Sequence, residues 1–209
     1  EMRKANLEPN VISYSAVISA SEKGGRWQLA VSLMREMREV RIEPNEISYS
    51  AGMCACWRGG RWQWAQSLFS EMSEAKVEAS VVSYSAGMRA CETGGRWQRA
   101  LLLLGEIREV KLESGVFCCN AGISACERSW QWQLPLMLLR DMSETQQEPD
   151  FFTYSAVARA CEEGRPWQQA LSLYVEMREA KLQADAISFR SVISACESGG
   201  QWQQALTLF

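Results

Sequence analysis

The feature that most constrains this chain is a 35-residue period running through it without a gap. Trp27, Trp62, Trp97, Trp132, Trp167 and Trp202 stay in step, as do Ala20, Ala55, Ala90, Ala125, Ala160 and Ala195. Self-similarity at this length means a solenoid of small supersecondary units, none of which can bury its apolar face alone. Complete repeats start at Val11, Glu46, Val81, Val116 and Phe151, and a sixth starts at Ala186. Residues 1–10, EMRKANLEPN, align with EMREVRIEPN at 36–45 and read as the tail of a preceding repeat. Residues 1–209 are expected to form a single solenoid. With no methionine at Glu1 and an end inside a repeat at Phe209, they are expected to be a piece of a longer array.

Each repeat reads as two helices. Tyr14, Val17, Ile18 and Ser21 fall at i, i+3, i+4 and i+7, one face of a helix. Gly24-Gly25 ends it, glycine being the usual residue just past a helix. Trp27, Ala30, Val31, Met34 and Met37 repeat that spacing, and the second helix stops before Pro44, whose ring disfavours helix in the residue before it. The alanine columns let paired helices approach closely. The fourth repeat has SWQWQLP in place of GGRWQLA, and Pro135 predicts a shifted helix start there. Pro166 falls at a favourable first-turn position. The tryptophan column, spaced with Ala30 and Met34, is expected to pack in the solenoid; Trp57, Trp64 and Trp130 lie outside it.

Composition removes several classes of function. The chain has no histidine, which excludes imidazole bases, serine–histidine and cysteine–histidine pairs and most zinc sites. No apolar run approaches the ~18 residues of a membrane span. Cys56, Cys91, Cys126, Cys161 and Cys196 recur at one repeat position, as small buried apolar residues would, and a reducing compartment follows. Cys54, Cys118 and Cys119 stand apart from that column. The glutamates lie whole repeats apart, too far for an acid/base pair, and nothing supports catalysis or a cofactor.

The motif VISYSAVISASEKGGRWQLAVSLMREM, followed by EPN, resembles the pentatricopeptide repeat family, whose pattern runs approximately V-x-T-Y-N-x-L-I-x-A-x-x-K-x-G-x-x-x-x-A-x-x-L-x-x-x-M and closes on Pro-Asp. The resemblance covers the whole chain and its uniform length looks like the P-type array. It implies an all-α, right-handed superhelical solenoid of helix-turn-helix repeats that binds single-stranded RNA at about one base per repeat. It also implies a role in organellar RNA processing, stability or translation, in a mitochondrion or chloroplast. The physics suits the binding: unstacked bases offer a flat face for an apolar side chain and an edge for polar ones.

Carried over residue by residue, the resemblance implies base readers at the fifth position of each repeat, Ser15, Ser50, Ser85, Asn120, Ser155 and Arg190. Their partners are the last residues, Asn45, Ser80, Asp150 and Asp185, with Gly115 departing from the pattern because it has no side chain. Ile12, Ile47, Val82, Phe117, Phe152 and Ile187 stand at the second position, where the family packs bases. Lys23, Arg58 and Arg128 hold its phosphate-contacting position. The family's pairing rules suggest adenine for Ser15 with Asn45, uracil for Asn120 with Asp150 and guanine for Ser155 with Asp185. Ser50 with Ser80 leans weakly to adenine, which gives a core of A-A-N-U-G.

A plainer reading stands beside each of these. Serine at a helix start is a common cap. The first helices carry six basic residues (Lys23, Arg58, Arg89, Arg128, Arg159, Arg190) against seven acidic ones (Glu22, Glu46, Glu92, Glu127, Glu162, Glu163, Glu197), a net of −1 where phosphate would favour an excess of base. Weak RNA affinity is therefore expected. Acids later in the repeat, such as Glu36 and Glu39, are expected to line a solvated outer face. A protein–protein scaffold using the same surface is the alternative to RNA; neither DNA nor a membrane is an expected partner.

Overall fold

The structure, a computed structural model, describes residues 9–110, 112, 115–129, 131–164, 166–180, 182 and 186–207, without the side chains of 163, 164, 187 and 207. These residues hold twelve α-helices and no strand. They are α1 (Val11–Lys23), α2 (Trp27–Glu39), α3 (Glu46–Arg58), α4 (Trp62–Glu74), α5 (Val81–Gly94), α6 (Trp97–Glu109), α7 (Gly115–Glu127), α8 (Gln133–Glu144), α9 (Phe151–Gly164), α10 (Trp167–Glu179), α11 (Ala186–Ser198) and α12 (Trp202–Thr207). The odd-numbered helices are the first of each repeat and the even-numbered the second. None of them is long and apolar enough to cross a membrane.

The chain divides into two compact units, Glu1–Gly94 and Gly95–Phe209. Within the first, α1, α3 and α5 lie side by side; within the second, α7, α9 and α11 do the same. Within each unit, second helices pack on their own first helices, α2 on α1, α4 on α3, α8 on α7, α10 on α9 and α12 on α11, and on the first helix that follows: α2 on α3 and α4 on α5, then α6 on α7, α8 on α9 and α10 on α11. Within each unit, second helices do not pack on one another among the described residues. Long side chains span them, from Arg38 to Glu71 and from Arg108 to Asp141 at 3.2 Å.

The apolar columns become the core of this arrangement. Ile18, Met53, Met88 and Ile123 are fully buried on first helices, and Met37, Met72, Ile107, Met142 and Met177 on second helices. The small columns sit where helices meet: Ala55, Ala90, Ala125, Ala160 and Ala195 are buried, whereas Ala20, with no described helix before it, is exposed. The cysteine column is buried as expected, and burial pushes the thiols of Cys56, Cys126 and Cys161 up to about 12. All eight cysteines are free thiols.

Two glycines end the first helix in the first, second, third and sixth repeats, for different reasons. The second of each pair, Gly25, Gly60, Gly95 and Gly200, has φ between 60° and 70°, the left-handed region that side chains resist. The first makes room for a tryptophan of the preceding repeat. A Cβ on Gly59 would stand 2.4 Å from Trp27 Cδ1, one on Gly94 2.7 Å from Trp62, and one on Gly199 2.2 Å from Trp167. Arg61 closes over the Trp27 ring at 5.1 Å. The tryptophan column is thus the packing element its spacing predicts. Gly24, at the same repeat position, meets only ordinary contacts.

The fourth repeat behaves as Pro135 predicts. Trp132 becomes the N-cap and α8 begins at Gln133, one residue later than its counterparts. Pro166 is the N-cap of α10 rather than a residue of its first turn. Glu36 corrects the expectation of a purely solvated acidic face, since it accepts a hydrogen bond from buried Tyr14 at 3.0 Å; Glu39 is exposed as expected.

Two outcomes test this packing. Gly59→Ala should lower stability by about 1–3 kcal/mol through overpacking against Trp27, while Gly24→Ala should change it by less than about 0.5 kcal/mol, both read from urea unfolding. The buried thiols favour the protonated state in the folded chain, so their stabilisation is complete below the ordinary thiol value of 9.0. Unfolding free energy should fall as pH rises from there toward about 12.

Candidate nucleic-acid interface

The start of each first helix gathers three predicted positions. The second residues, Ile12, Ile47, Val82, Phe117 and Phe152, remain 46–73% exposed although every one is apolar. The side chain of Ile187 lies outside the described residues. A helix start also leaves backbone N–H groups without intrahelical partners. The last residue of the preceding repeat supplies the acceptor. Ser13 N–H donates to Asn10 Oδ1 at 3.0 Å, Ser48 N–H to Asn45 Oδ1 at 3.0 Å, Ser83 N–H to Ser80 Oγ at 3.3 Å and Thr153 N–H to Asp150 Oδ1 at 2.8 Å. The caps are therefore the last-position residues and not the fifth-position serines.

Capping determines what each pair has left to offer. In the first repeat Asn45 Oδ1 takes the Ser48 N–H and lies 2.9 Å from Ser48 Oγ and 3.2 Å from Ser15 Oγ. Ser15, buried, donates to the Val11 carbonyl at 2.7 Å and sits 2.9 Å from Ser48 Oγ. The cap fixes the amide's orientation and leaves the two N–H groups of Asn45 Nδ2 without a partner among the described residues. In the fourth repeat Asn120 Nδ2 donates to Asp150 Oδ1 at 3.0 Å, and Asn120 Oδ1 accepts from Thr153 Oγ1 at 2.6 Å. What remains is one Asn120 N–H and Asp150 Oδ2, a donor beside an acceptor.

The second repeat differs. Ser50 Oγ turns back onto the Ile47 carbonyl at 3.2 Å and makes no hydrogen bond to Ser80. Ser80 Oγ and Ser83 Oγ both donate instead to Glu46 Oε1, the latter at 3.0 Å. Of the remaining pairs, Ser85 is half-buried and Gly115 opens α7. Ser155 is buried, and its partner Asp185 lies outside the described residues. Arg190 is exposed in the first turns of α11.

The acidic column is largely taken up within the protein. Glu22 lies 3.6 Å from Arg58 Nη2, Glu92 3.0 Å from Arg89 Nη1, and Glu127 accepts from Arg159 Nε and Nη2 at 2.8 and 2.9 Å. Glu162 accepts from Ser191 Oγ at 2.8 Å. Arg58 also lies over the Trp57 ring at 5.5 Å. Of the three predicted phosphate contacts, Lys23 and Arg128 are exposed and have no ion-pair partner among the described residues.

Sequence reasoning missed two groups here. The third-position hydroxyls Ser48, Ser83 and Thr153 are buried and tie the pairs together; their recurrence in the S/T-Y motif was the available signal. Glu46 was visible as the only polar residue at a first position otherwise occupied by Val, Phe or Ala.

Comparison with known proteins bears on this geometry. The pentatricopeptide repeat domain matches residues 1–58, and the PPR repeat matches 47–77 and 152–182. No curated protein sequence matches. Among solved structures, the pentatricopeptide repeat protein PPR10 from maize superposes with a TM-score of 0.68 at 23% identity, over 99% of this chain and 30% of that one. The same protein in complex with an 18-nucleotide psaJ RNA element gives 0.78 at 21% identity, over 96% and 29%. The PPR domain of Arabidopsis thaliana protein-only RNase P 1, in complex with tRNA, gives 0.74 at 13%, over 90% and 96%. The chain thus spans less than a third of the maize protein's length. At these identities the likeness shows the fold.

The cap network makes a measurable demand on stability. Asn45→Ala removes the acceptor of α3 and strands Ser48, and should cost about 1–2 kcal/mol in urea unfolding.

Proposed function

The chain belongs to the pentatricopeptide repeat family, and from that premise we propose that it binds single-stranded RNA sequence-selectively, at about one base per repeat. One observation carries the reading: at the fourth repeat, the cap leaves an Asn120 N–H and Asp150 Oδ2 without partners among the described residues, in repeats whose second positions are the exposed Phe117 and Phe152. Uracil offers the complement, an N3–H donor beside carbonyl acceptors, while apolar rings meet the faces of the bases. In the first repeat, Asn45 Nδ2 offers donors only, which suits the N1 acceptor of adenine. Ser155 with Asp185 is read as guanine by the family's pairing rules. Family membership also supports a role in RNA processing, stability or translation within a mitochondrion or chloroplast.

The near-neutral charge tempers affinity but not selectivity. Phosphate contacts give strength without sequence information, and the base edges give discrimination. With Lys23 and Arg128 unpaired and Arg58 only loosely engaged, few counterions are released on binding. The slope of log affinity against log salt should lie near −1 to −2.

The test is binding of the chain to RNAs containing the expected core, or the core with its uracil replaced, at about 50 and 200 mM salt. Preference for uracil at the fourth base is expected, and Asn120→Ser should move it toward guanine. Equal binding of all variants would remove base reading and leave the apolar face to a protein partner.

A further inference from the structure

The second repeat does not form the pair its sequence positions imply. At the first and fourth repeats, the fifth residue reaches forward to the next repeat's cap and third-position hydroxyl: Ser15 to Asn45 and Ser48, Asn120 to Asp150 and Thr153. At the second repeat that place is filled from a different position. Ser50 is buried and bonded to its own helix at Ile47. Glu46, in the first turn of α3, extends forward and takes the hydroxyls of both Ser80 and Ser83 on Oε1. Ser80 Oγ accepts the Ser83 N–H and gives its one proton to Glu46. Ser80 and Ser83 thus have no free hydroxyl proton for a base. Glu46 Oε2 has no partner among the described residues, and the side chain is half-exposed beside the exposed Ile47 and Val82.

We propose that Glu46, and not Ser50, is the base-reading side chain of the second repeat, and that its carboxylate selects guanine. The proposal rests on the RNA reading above and assigns a reader at a position outside its fifth-and-last pairing. An ionised carboxylate is acceptor-only. Guanine presents two adjacent donors on its Watson–Crick edge, N1–H and N2–H. Adenine and cytosine present an acceptor nitrogen beside their amino group, and uracil flanks its single N–H with two carbonyl oxygens. Each of these three sets a lone pair against the carboxylate, and an unmatched polar contact in a desolvated notch is penalised. Charge-assisted hydrogen bonds add to the guanine preference. The second letter of the core becomes guanine in place of the adenine suggested by Ser50 and Ser80.

The experiment uses the full chain and four labelled RNAs, 5′-A-X-A-U-G-3′ with X as each base, read by fluorescence anisotropy. A fifth RNA has its uracil replaced by cytosine. The wild-type chain should favour guanine at X by roughly 10-fold, as two donors converging on the charged Oε2 would give. Glu46→Val installs the residue found at Val11, Val81 and Val116, and should abolish that preference. Glu46→Gln keeps an acceptor for Ser80 and Ser83, guarding against misfolding, and should reduce the preference several-fold. Adenine preferred at X, no preference at X, or a guanine preference that survives Glu46→Val would overturn the proposal. If uracil is still distinguished from cytosine at the fourth base in those cases, base reading stands and only the Glu46 assignment falls. Binding to none of the RNAs overturns both.

Discussion

At Asn45 and at Asp150 a single side-chain oxygen closes the amide end of the following helix, lies within reach of the third residue's hydroxyl and meets the fifth residue of the preceding repeat. A helix start must find acceptors for its free N–H groups, and a cap of this kind contributes about 1 kcal/mol. That demand orients the capping group, because the oxygen bound to backbone cannot also face a ligand. An asparagine cap leaves N–H groups over and an aspartate cap leaves an oxygen. A serine cap that donates its proton leaves no donor, and the side chain that took the proton brings its own open oxygen to the notch. Packing and recognition are consequences of one constraint, and the identity of the last residue becomes the chemistry of the notch.

Most of the fold was legible because it is written in spacing. Period, helix pairs, tryptophan and alanine columns and the late start of α8 at Pro135 all follow from local rules. Other features were hidden for physical reasons. The glycine pair reads as a helix stop, but only the second glycine needs its φ; the first answers to a tryptophan of the preceding repeat, a contact that no local rule contains. Glu36 sits in a charged stretch and reads as solvated, yet Tyr14 reaches it from another helix. Glu46 reads as one more acid among the charges of the first helices. Only the position of Ser80 and Ser83 across the helix boundary turns it into an element of the site.

Charge is where sequence counting misleads most. A tally of the first helices gives a small acidic excess, but the charges are not equivalent. The Glu127–Arg159 pair is bidentate and partly buried, and it ties α7 to α9. The Glu22–Arg58 pair is long, and the arginine is half-exposed. Exposed pairs of the second kind contribute about 0–1 kcal/mol, so a phosphate can displace Glu22 from Arg58 at little cost. Displacing Glu127 would strand a partly buried carboxylate and loosen two helices. Of the three predicted phosphate contacts, Lys23 and Arg128 would be open to a backbone directly and Arg58 by exchange, while Arg159 belongs to the scaffold. On the proposed RNA reading, with so few phosphate contacts, binding free energy would depend mainly on the notches and the apolar column. On that reading a mismatch at one notch would remove a larger share of the total than it would in a strongly basic groove, so weak charge and high selectivity would arise from the same distribution of residues.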